Sequence, residues 1–283
     1  GQLEFLEVKD KGIDLANILV IKTPMAKDTT WNAKRKILQL FKERCAEISI
    51  VKGVTSSTTV PGEEYRHETF LSSDYSNNRV LVHQNGVDEY FFSLYKGEFV
   101  AGRDFVADAR AKNRTRIVLN ESAAKALGIV DFEKAINSKI VDHEEPDIAL
   151  DLIGIVKDYH QTSLKYEVKP MAFKYNVQRG HCSLKISTSN LRNIEFEEGL
   201  ASIKQIWRES YPDASFDYFF LDEKFSAQDA EDQYFGRFFE YFTVLSVIIS
   251  CLGLFGLSLL ISAKRQREVG VRKVFGATSV NIL

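Results

Sequence analysis

The chain has 283 residues, of which 45% are hydrophobic and 27% charged, and its net charge is −2. This composition is typical of a globular protein and excludes collagen-like, coiled-coil and wholly disordered chains. Near-neutral charge argues against nucleic acid as a partner, because proteins that bind the phosphate backbone usually carry a basic surplus. The three cysteines lack metal-binding spacing, and the sequence leaves open whether Cys45 and Cys182 form a disulfide.

The first predicted elements alternate strand, helix and strand. Residues 16–24 ("ANILVIKTP") predict a strand that ends at a proline. Residues 31–49 predict an amphipathic helix, because their apolar side chains recur at helical spacing. The Thr- and Val-rich segment 51–62 predicts a second strand that is closed by a Pro-Gly turn.

A block rich in strands follows. The segment "RVLVHQNGVDEYF" predicts a strand, a turn at Asn85-Gly86 and a short aromatic segment. In "TRIVLNESAAKALGI", a strand at 117–119 leads into a short helix that Asn120 caps and Gly128 ends. Further strands are predicted at 148–159, 171–176 and 181–188.

A second amphipathic helix at 195–211 and a strand at 215–221 complete the globular part. This order of elements predicts an α+β fold: a mixed α/β domain with a β-rich inserted subdomain, followed by a transmembrane helix. The expected core layer comprises residues 31–64 and 190–221, and the insertion comprises 65–189.

A long apolar run near the C-terminal end predicts a membrane span. Residues 242–263 contain 22 residues without a charge. As a helix they reach ~33 Å, enough to cross a hydrocarbon core of ~30 Å. Small residues recur along one side, which predicts close packing against another membrane helix. They are Ser246, Ser250, Gly253 and Gly256.

The charges that flank this run predict its orientation. Residues 222–240 are mostly acidic, whereas five basic residues follow the run within 264–273. Because positive residues stay on the cytoplasmic side, we expect a cytoplasmic tail and a periplasmic segment of residues 1 to about 235. A domain outside the membrane needs an export route, so we expect a further span before Gly1 and interpret the chain as a fragment.

The sequence motifs that would indicate an enzyme are incomplete or absent. His67-Glu68 and His143-Glu144 lack the second histidine that a zinc-binding HExxH motif requires. The sequence contains neither the GxSxG nucleophile elbow nor the phosphate-binding GxxxxGK[ST] loop. We therefore expect no catalytic, cofactor-binding or metal-binding residues.

The C-terminal segment resembles the signature of FtsX-like permeases, R-x-x-E-[IV]-G-[IV]-R-[KR]-x-x-G-A. Upstream, "VPG" (60–62), "GRDF" (102–105), "VLNESAAKALG" (118–128) and residues 152–170 are similar to the MacB-like periplasmic core domain. Taken together, these motifs most resemble those of the multi-span permeases with two periplasmic domains that are common in Bacteroidetes. The residues that match the FtsX-like signature are Arg265, Glu268, Gly270, Arg272, Lys273, Gly276 and Ala277.

The resemblance implies a non-catalytic permease subunit of an ABC transporter in the bacterial inner membrane, without a cofactor. Its helices would transmit ATPase-driven motion to the periplasm, for export or extraction of a substrate. Residues 1–30 would leave a preceding membrane helix, 222–241 would form a stalk helix, and 264–283 would couple to the ATPase. The implied coupling residues are Glu268, Gly270, Arg272, Lys273 and Gly276.

The implied partners are a cytoplasmic ABC ATPase, membrane lipid, a second permease copy or pseudosymmetric half, and a periplasmic adaptor. Two alternatives remain open from the sequence. One is a membrane-anchored extracytoplasmic sensor, and the other is an FtsX-type regulator of periplasmic partners that transports nothing. The substrate cannot be read from the residues, because one architecture serves many cargoes.

Overall fold

The computed structural model describes residues 12–24, 31–106, 115–162, 167–176, 180–187 and 193–274. The chain divides into two compact units, Gly1–Ala227 and Gln228–Leu283. The first contains every strand among the described residues, and the second is formed by the greater part of the final helix.

The described strands are β1 (Ile18–Lys22), β2 (Val51–Ser57), β3 (His67–Ser73), β4 (Ser76–Val87), β5 (Phe99–Gly102), β6 (Arg116–Asn120), β7 (Lys139–Asp142), β8 (Ala149–Val156), β9 (Met171–Tyr175), β10 (His181–Ile186) and β11 (Tyr218–Phe220). The described helices are α1 (Trp31–Ala46), α2 (Phe91–Tyr95), α3 (Glu121–Ala126), α4 (Phe132–Ala135), α5 (Asn193–Ser210) and α6 (Leu221–Val274).

The strands pair in the order β11-β1-β10-β2-β4-β3-β7-β8-β6-β9, with β5 added at β8. Strand β9 also pairs with β4 in parallel, over His83–Val87 and Met171–Tyr175. Six strands, β4, β3, β7, β8, β6 and β9, therefore close into a ring. The remaining strands β11, β1, β10 and β2 extend from β4 as an open antiparallel sheet.

Helices α1 and α5 cover one face of this open sheet. Each contributes an apolar stripe to a shared core, in which Phe41 and Trp207 meet edge to face at 5.4 Å between ring centroids. Both predicted amphipathic helices are thus confirmed, and Ile203, Ile206 and Trp207 are buried as their spacing predicts. Burial of this stripe, rather than helix propensity, holds the two helices on the sheet.

A second core lies within the closed ring of strands. It includes Leu71, Ile117 and Leu152 from three strands and Ala123 and Ala124 of α3. The start of α3 is fixed by Asn120, whose Oδ1 accepts a hydrogen bond from Ala123 N at 2.9 Å. Gly128 follows the helix at φ +81°, so the predicted cap and stop are both confirmed.

The predicted turn at Asn85-Gly86 is wrong, because both residues lie inside β4. The side chain of Asn85 is buried, and it accepts from Thr59 N (3.1 Å) and donates to Thr59 O (2.9 Å). A Cβ on Gly86 would lie 2.5 Å from Thr58 Oγ1. Asn85 and Gly86 therefore allow the segment that contains Thr58 and Thr59 to pack closely against β4, and they do not reverse the chain.

Strand β10 lies between β1 and β2 in the open sheet, although the expected insertion of residues 65–189 includes it. Two buried cysteines, Cys45 on α1 and Cys182 on β10, belong to the same apolar core. Both thiols are free. Burial raises the pKa of Cys45 to about 12, so this thiol stays protonated at neutral pH and contributes to packing.

The sequence thus predicts the fold class correctly: a mixed α/β domain with a sheet-rich core, followed by an apolar C-terminal helix.

Candidate functional site

Helix α6 contains a stretch, Tyr241–Arg267, that is long and apolar enough to cross a membrane. Its large apolar side chains are exposed throughout; Leu254 is 70% exposed and Leu260 65%. A continuous apolar surface of this length is unfavourable in water and is what a bilayer core requires. The described stretch includes all of the predicted span, residues 242–263.

The predicted small-residue side of this helix has no covering partner among the described residues. Ser250 Oγ donates to Ser246 O at 2.8 Å, which satisfies the hydroxyl inside the helix. A Cβ built on Gly253 or Gly256 would meet nothing within 4 Å. Both glycines are therefore open to another helix.

The predicted coupling residues fall at the far end of α6. The helix ends at Val274, so Glu268, Gly270, Arg272 and Lys273 have helical backbone. Their side chains, and the whole of Gly276, lie outside the described part of the chain. Residues 268 and 272 stand four positions apart on the helix, the spacing at which opposite charges attract.

The start of α6 is held by a cluster that we call the helix anchor, formed by Glu63, His181, Leu221 and Lys224. Glu63 follows β2, and its side chain is only 11% exposed. Lys224 Nζ, on the first turn of α6, lies 2.9 Å from Glu63 Oε1. His181 Nε2 lies 3.3 Å from Glu63 Oε2.

Two further contacts adjoin the helix anchor, and its member Leu221 lies in a third apolar core of the globular unit, which we call the central core. Arg66 contacts the outer side of Glu63 at 3.2 Å. Leu221 is fully buried in the central core, which also includes Val60 and Tyr159. Lys224 Nζ also lies 4.3 Å from the centroid of the Phe219 ring, in cation–π geometry.

The contacts of Glu63 keep its carboxyl group ionised. Burial by itself raises the pKa of this carboxyl, but the hydrogen bonds and charges of His181 and Lys224 outweigh it and lower the pKa to about 2. A half-buried carboxylate resists separation from the ammonium group of Lys224, because each charge would be left poorly solvated. The first turn of α6 is therefore tied to the sheet by charge as well as by the buried Leu221.

The described residues hold no cluster of three or more metal-ligating side chains. His143 Nε2 lies 3.1 Å from Ser72 Oγ, and His83 lies 3.2 Å from Glu68. Each of these histidines thus has a local polar contact of the kind that fixes a loop or a strand edge.

Sequence reasoning missed the helix anchor. The polar members lie far apart in sequence, and Glu63 and Lys224 are separated by 161 positions. A charge that follows a Pro-Gly turn is ordinary on a surface, so a single sequence carries no signal that this one is buried and paired.

No protein-family profile matches the chain, and no curated protein sequence matches it. Solved structures do. The periplasmic region of MacB from Actinobacillus actinomycetemcomitans matches with a TM-score of 0.52 at 16% identity, over 77% of this chain and 95% of that chain.

Two further structures match with lower scores. The extracellular domain of the noncanonic ABC-type transporter YknZ from Gram-positive bacteria has a TM-score of 0.48 at 11% identity, over 71% of this chain and 97% of that chain. A domain assigned to a permease protein from Porphyromonas gingivalis has a TM-score of 0.45 at 14% identity, over 71% of this chain and 88% of that chain. The match to the periplasmic region of MacB, with its TM-score of 0.52, shows that the globular unit of this chain has the same fold.

Proposed function

We propose that the chain is part of a non-catalytic permease subunit of a MacB/FtsX-like ABC transporter. The observation that carries this proposal is the combination of two features in one chain. The globular unit has the fold of a MacB periplasmic region. The same chain continues through an exposed apolar helix into the basic segment that resembles the FtsX-like signature.

In this proposal the globular unit lies in the periplasm and residues 264–283 lie in the cytoplasm. The asymmetry of charge around the apolar helix supports that orientation. ATP hydrolysis belongs to a separate cytoplasmic subunit, which contacts the coupling segment through Glu268, Arg272 and Lys273. The glycines Gly270 and Gly276 allow that segment to approach the ATPase closely and then turn.

Motion passes along α6 in the proposed mechanism. The ATPase moves the cytoplasmic end of the helix, and the helix anchor transfers that movement to the globular unit. Leu221 connects the helix to the central core, and Lys224 connects it to Glu63 after β2. The periplasmic work is export or extraction of a substrate, with an adaptor as a further partner.

The side of α6 that carries Ser246, Ser250, Gly253 and Gly256 is proposed to face a second permease copy or a pseudosymmetric half. The rest of the helix faces lipid. Close contact there would place the two moving helices in one unit, because small residues allow helix backbones to approach within the bilayer.

The test is coupling between the full-length permease and its ATPase. The two are co-purified from membranes, and ATP hydrolysis and function are measured for wild type and for Glu268→Lys. We expect Glu268→Lys to insert normally and to uncouple hydrolysis from function. The control is Glu223→Lys, the same charge reversal at the exposed start of α6, which should leave coupling intact.

Two results would overturn the proposal. If no ATPase co-purifies with the wild type, a membrane-anchored sensor becomes the better interpretation. If both reversals uncouple equally, the effect is not specific to the coupling segment. An ATPase that couples without moving any cargo would instead indicate an FtsX-type regulator.

A further inference from the structure

A pocket of about 530 Å³ opens on the globular unit between α1, the start of β2 and α2. This volume falls within the range of pockets that hold small molecules. The helix anchor contributes none of its described lining residues, which are Gln39, Lys42, Glu43, Ala46, Lys52, Gly53, Val54, Tyr90, Ser93, Leu94, Lys96 and Lys185.

Four lysines stand around this pocket, and their partners leave a small positive excess. Lys96 Nζ and Lys185 Nζ share one carboxylate, that of Asp14, at 2.8 and 3.1 Å. Lys42 pairs with the fully buried Asp88. Lys52 is exposed, and its Nζ makes a long contact of 3.4 Å with the carbonyl oxygen of Ser49.

Among the described lining residues, Glu43 is the carboxylate, and it accepts a hydrogen bond from Gln39 Nε2 at 2.8 Å. The four lysines face three carboxylates, those of Asp14, Asp88 and Glu43. The group therefore carries one positive charge in excess, which matches a ligand with a single negative charge.

Apart from Gln39 and Ser93, the rest of the pocket lining is apolar or aromatic. Val54 and Leu94 form its buried wall, and the ring of Tyr90 is 44% exposed beside them. Gly53 lies in this wall, and a Cβ there would make an ordinary contact with Leu94 Cδ1 at 3.6 Å. An exposed aromatic ring and aliphatic carbons next to ammonium groups fit a molecule with an anionic head and a hydrocarbon portion.

We propose that this pocket binds an amphiphilic monocarboxylate, with its head group near Lys52 and Lys96 and its hydrocarbon portion against Tyr90, Val54 and Leu94. Such binding requires neither an ATPase nor a moving helix, so it stands or falls separately from the transport function.

The experiment uses the whole chain in nanodiscs of zwitterionic phosphatidylcholine, with empty nanodiscs as the blank. Binding of octanoate, octyl phosphate and octylammonium is followed by calorimetry. Protection of individual lysines from acetylation is followed by mass spectrometry. We expect saturable octanoate binding that protects Lys52 and Lys96, and affinity about fourfold tighter for each added methylene from hexanoate to octanoate.

The test variant is Lys52→Gln with Lys96→Gln, which removes two head-group contacts. Its matched control is Lys125→Gln with Lys134→Gln, two exposed lysines outside the pocket. We expect octanoate to bind at least tenfold more weakly to the test variant and within twofold of wild type to the control. Gly53→Val fills the pocket without a change of charge and should weaken binding similarly.

Tighter binding of octyl phosphate than of octanoate would overturn the choice of a carboxylate, because the phosphate carries more charge. Equal binding of octylammonium would overturn an anionic ligand altogether. Absence of saturable binding, or equal loss in the test and control variants, would show that the pocket holds no such ligand.

Discussion

Lys224 Nζ lies 2.9 Å from Glu63 Oε1, and this contact joins the first turn of α6 to the loop after β2. Glu63 is 11% exposed and Lys224 28%, so water solvates neither charge fully. His181, on β10, contacts the other oxygen of the same carboxylate. The helix is thus connected to two strands of the open sheet through one side chain.

Replacement of Lys224 by Met should loosen the start of α6. Loss of a partner from a half-buried carboxylate costs about 1–3 kcal/mol, because the remaining charge is poorly solvated. We expect faster amide exchange at residues 224–227, the first amides of α6 that bond to carbonyls of the helix, measured by mass spectrometry in the whole chain. Lys125→Met is the control, since that lysine is exposed and pairs with Glu121 within one helix. Equal exchange in both variants would contradict an anchoring role.

The helix anchor should also make stability depend on acid pH. The pKa of Glu63 is about 2 in the folded chain, against an ordinary value of 4.5. A lowered pKa contributes stability above pH 4.5, and this contribution is lost as the pH falls towards 2. Thermal unfolding of wild type and Glu63→Gln should therefore differ most at pH 6 and converge as the pH falls from 4.5 towards 2. A constant difference across this range would contradict the ionised pair.

Asp104 should have the opposite dependence on pH. Burial and then repulsion from Asp88 and Glu89 raise its pKa to about 7, despite a hydrogen bond from Phe105 N. The folded chain therefore holds this proton more tightly, and stability falls as the pH rises from about 4 to 7. Asp104→Asn keeps the acceptor oxygen and should raise the Tm at pH 8 but not at pH 4. An equal change at both values would show that Asp104 does not titrate in this way.

Asp88 is predicted to be the most sensitive carboxylate of the globular unit. It is fully buried and accepts hydrogen bonds from Ser56 N at 2.7 Å and Tyr90 N at 3.0 Å, besides contacts with Thr55 and Lys42. Asp88→Ala should cost about 3–5 kcal/mol, because it leaves a lysine and several donors without their acceptor.

The loss of unfolding free energy is measured by urea unfolding of Asp88→Ala, with Asp151→Ala as the matched control. Asp151 pairs with Lys139 at 2.5 Å, but both side chains are more than a third exposed. Its loss should therefore cost less than about 1 kcal/mol. Similar midpoints for the two variants would show that burial of Asp88 carries no special weight.

Periodicity predicts the local elements of this chain well, because each depends on neighbours within a few residues. The stripe that buries Ile203 and Trp207, and the cap made by Asn120, are both visible in the sequence. The prediction of a turn at Asn85-Gly86 fails because these residues contact Thr59 and Thr58, which are distant in sequence and come close only in the folded sheet. Turn propensities depend only on residues that are adjacent in sequence, so they give no information about this contact.

The closure of the ring is equally hidden from sequence. It depends on β4, which pairs with β3 along one part and with β9 along another. The helix anchor is hidden for the same reason, since its charges meet only after the sheet has formed. The apolar run of α6 is the contrary case, because its length and lack of charge suffice to predict it.

Leucine at Gly253 and Gly256 tests whether the small-residue side of α6 packs against another helix. Nothing among the described residues lies within 4 Å of a Cβ at either position, so the double variant should leave this chain's own fold intact. If a second helix packs there, added bulk should reduce association by at least tenfold, because small residues permit the close approach. Association is measured in membranes by crosslinking through a cysteine introduced at Ser246 in a Cys251→Ser background, with unchanged helical content by circular dichroism.

The matched control for this variant is Ser258→Leu, which adds bulk at about 120° around the helix from Ser246. It should crosslink at the wild-type level, because its side of the helix is proposed to face lipid. Loss of crosslinking in the control alone would place the packing face on the opposite side of α6. Loss in neither variant would show that α6 has no close helix neighbour at this depth.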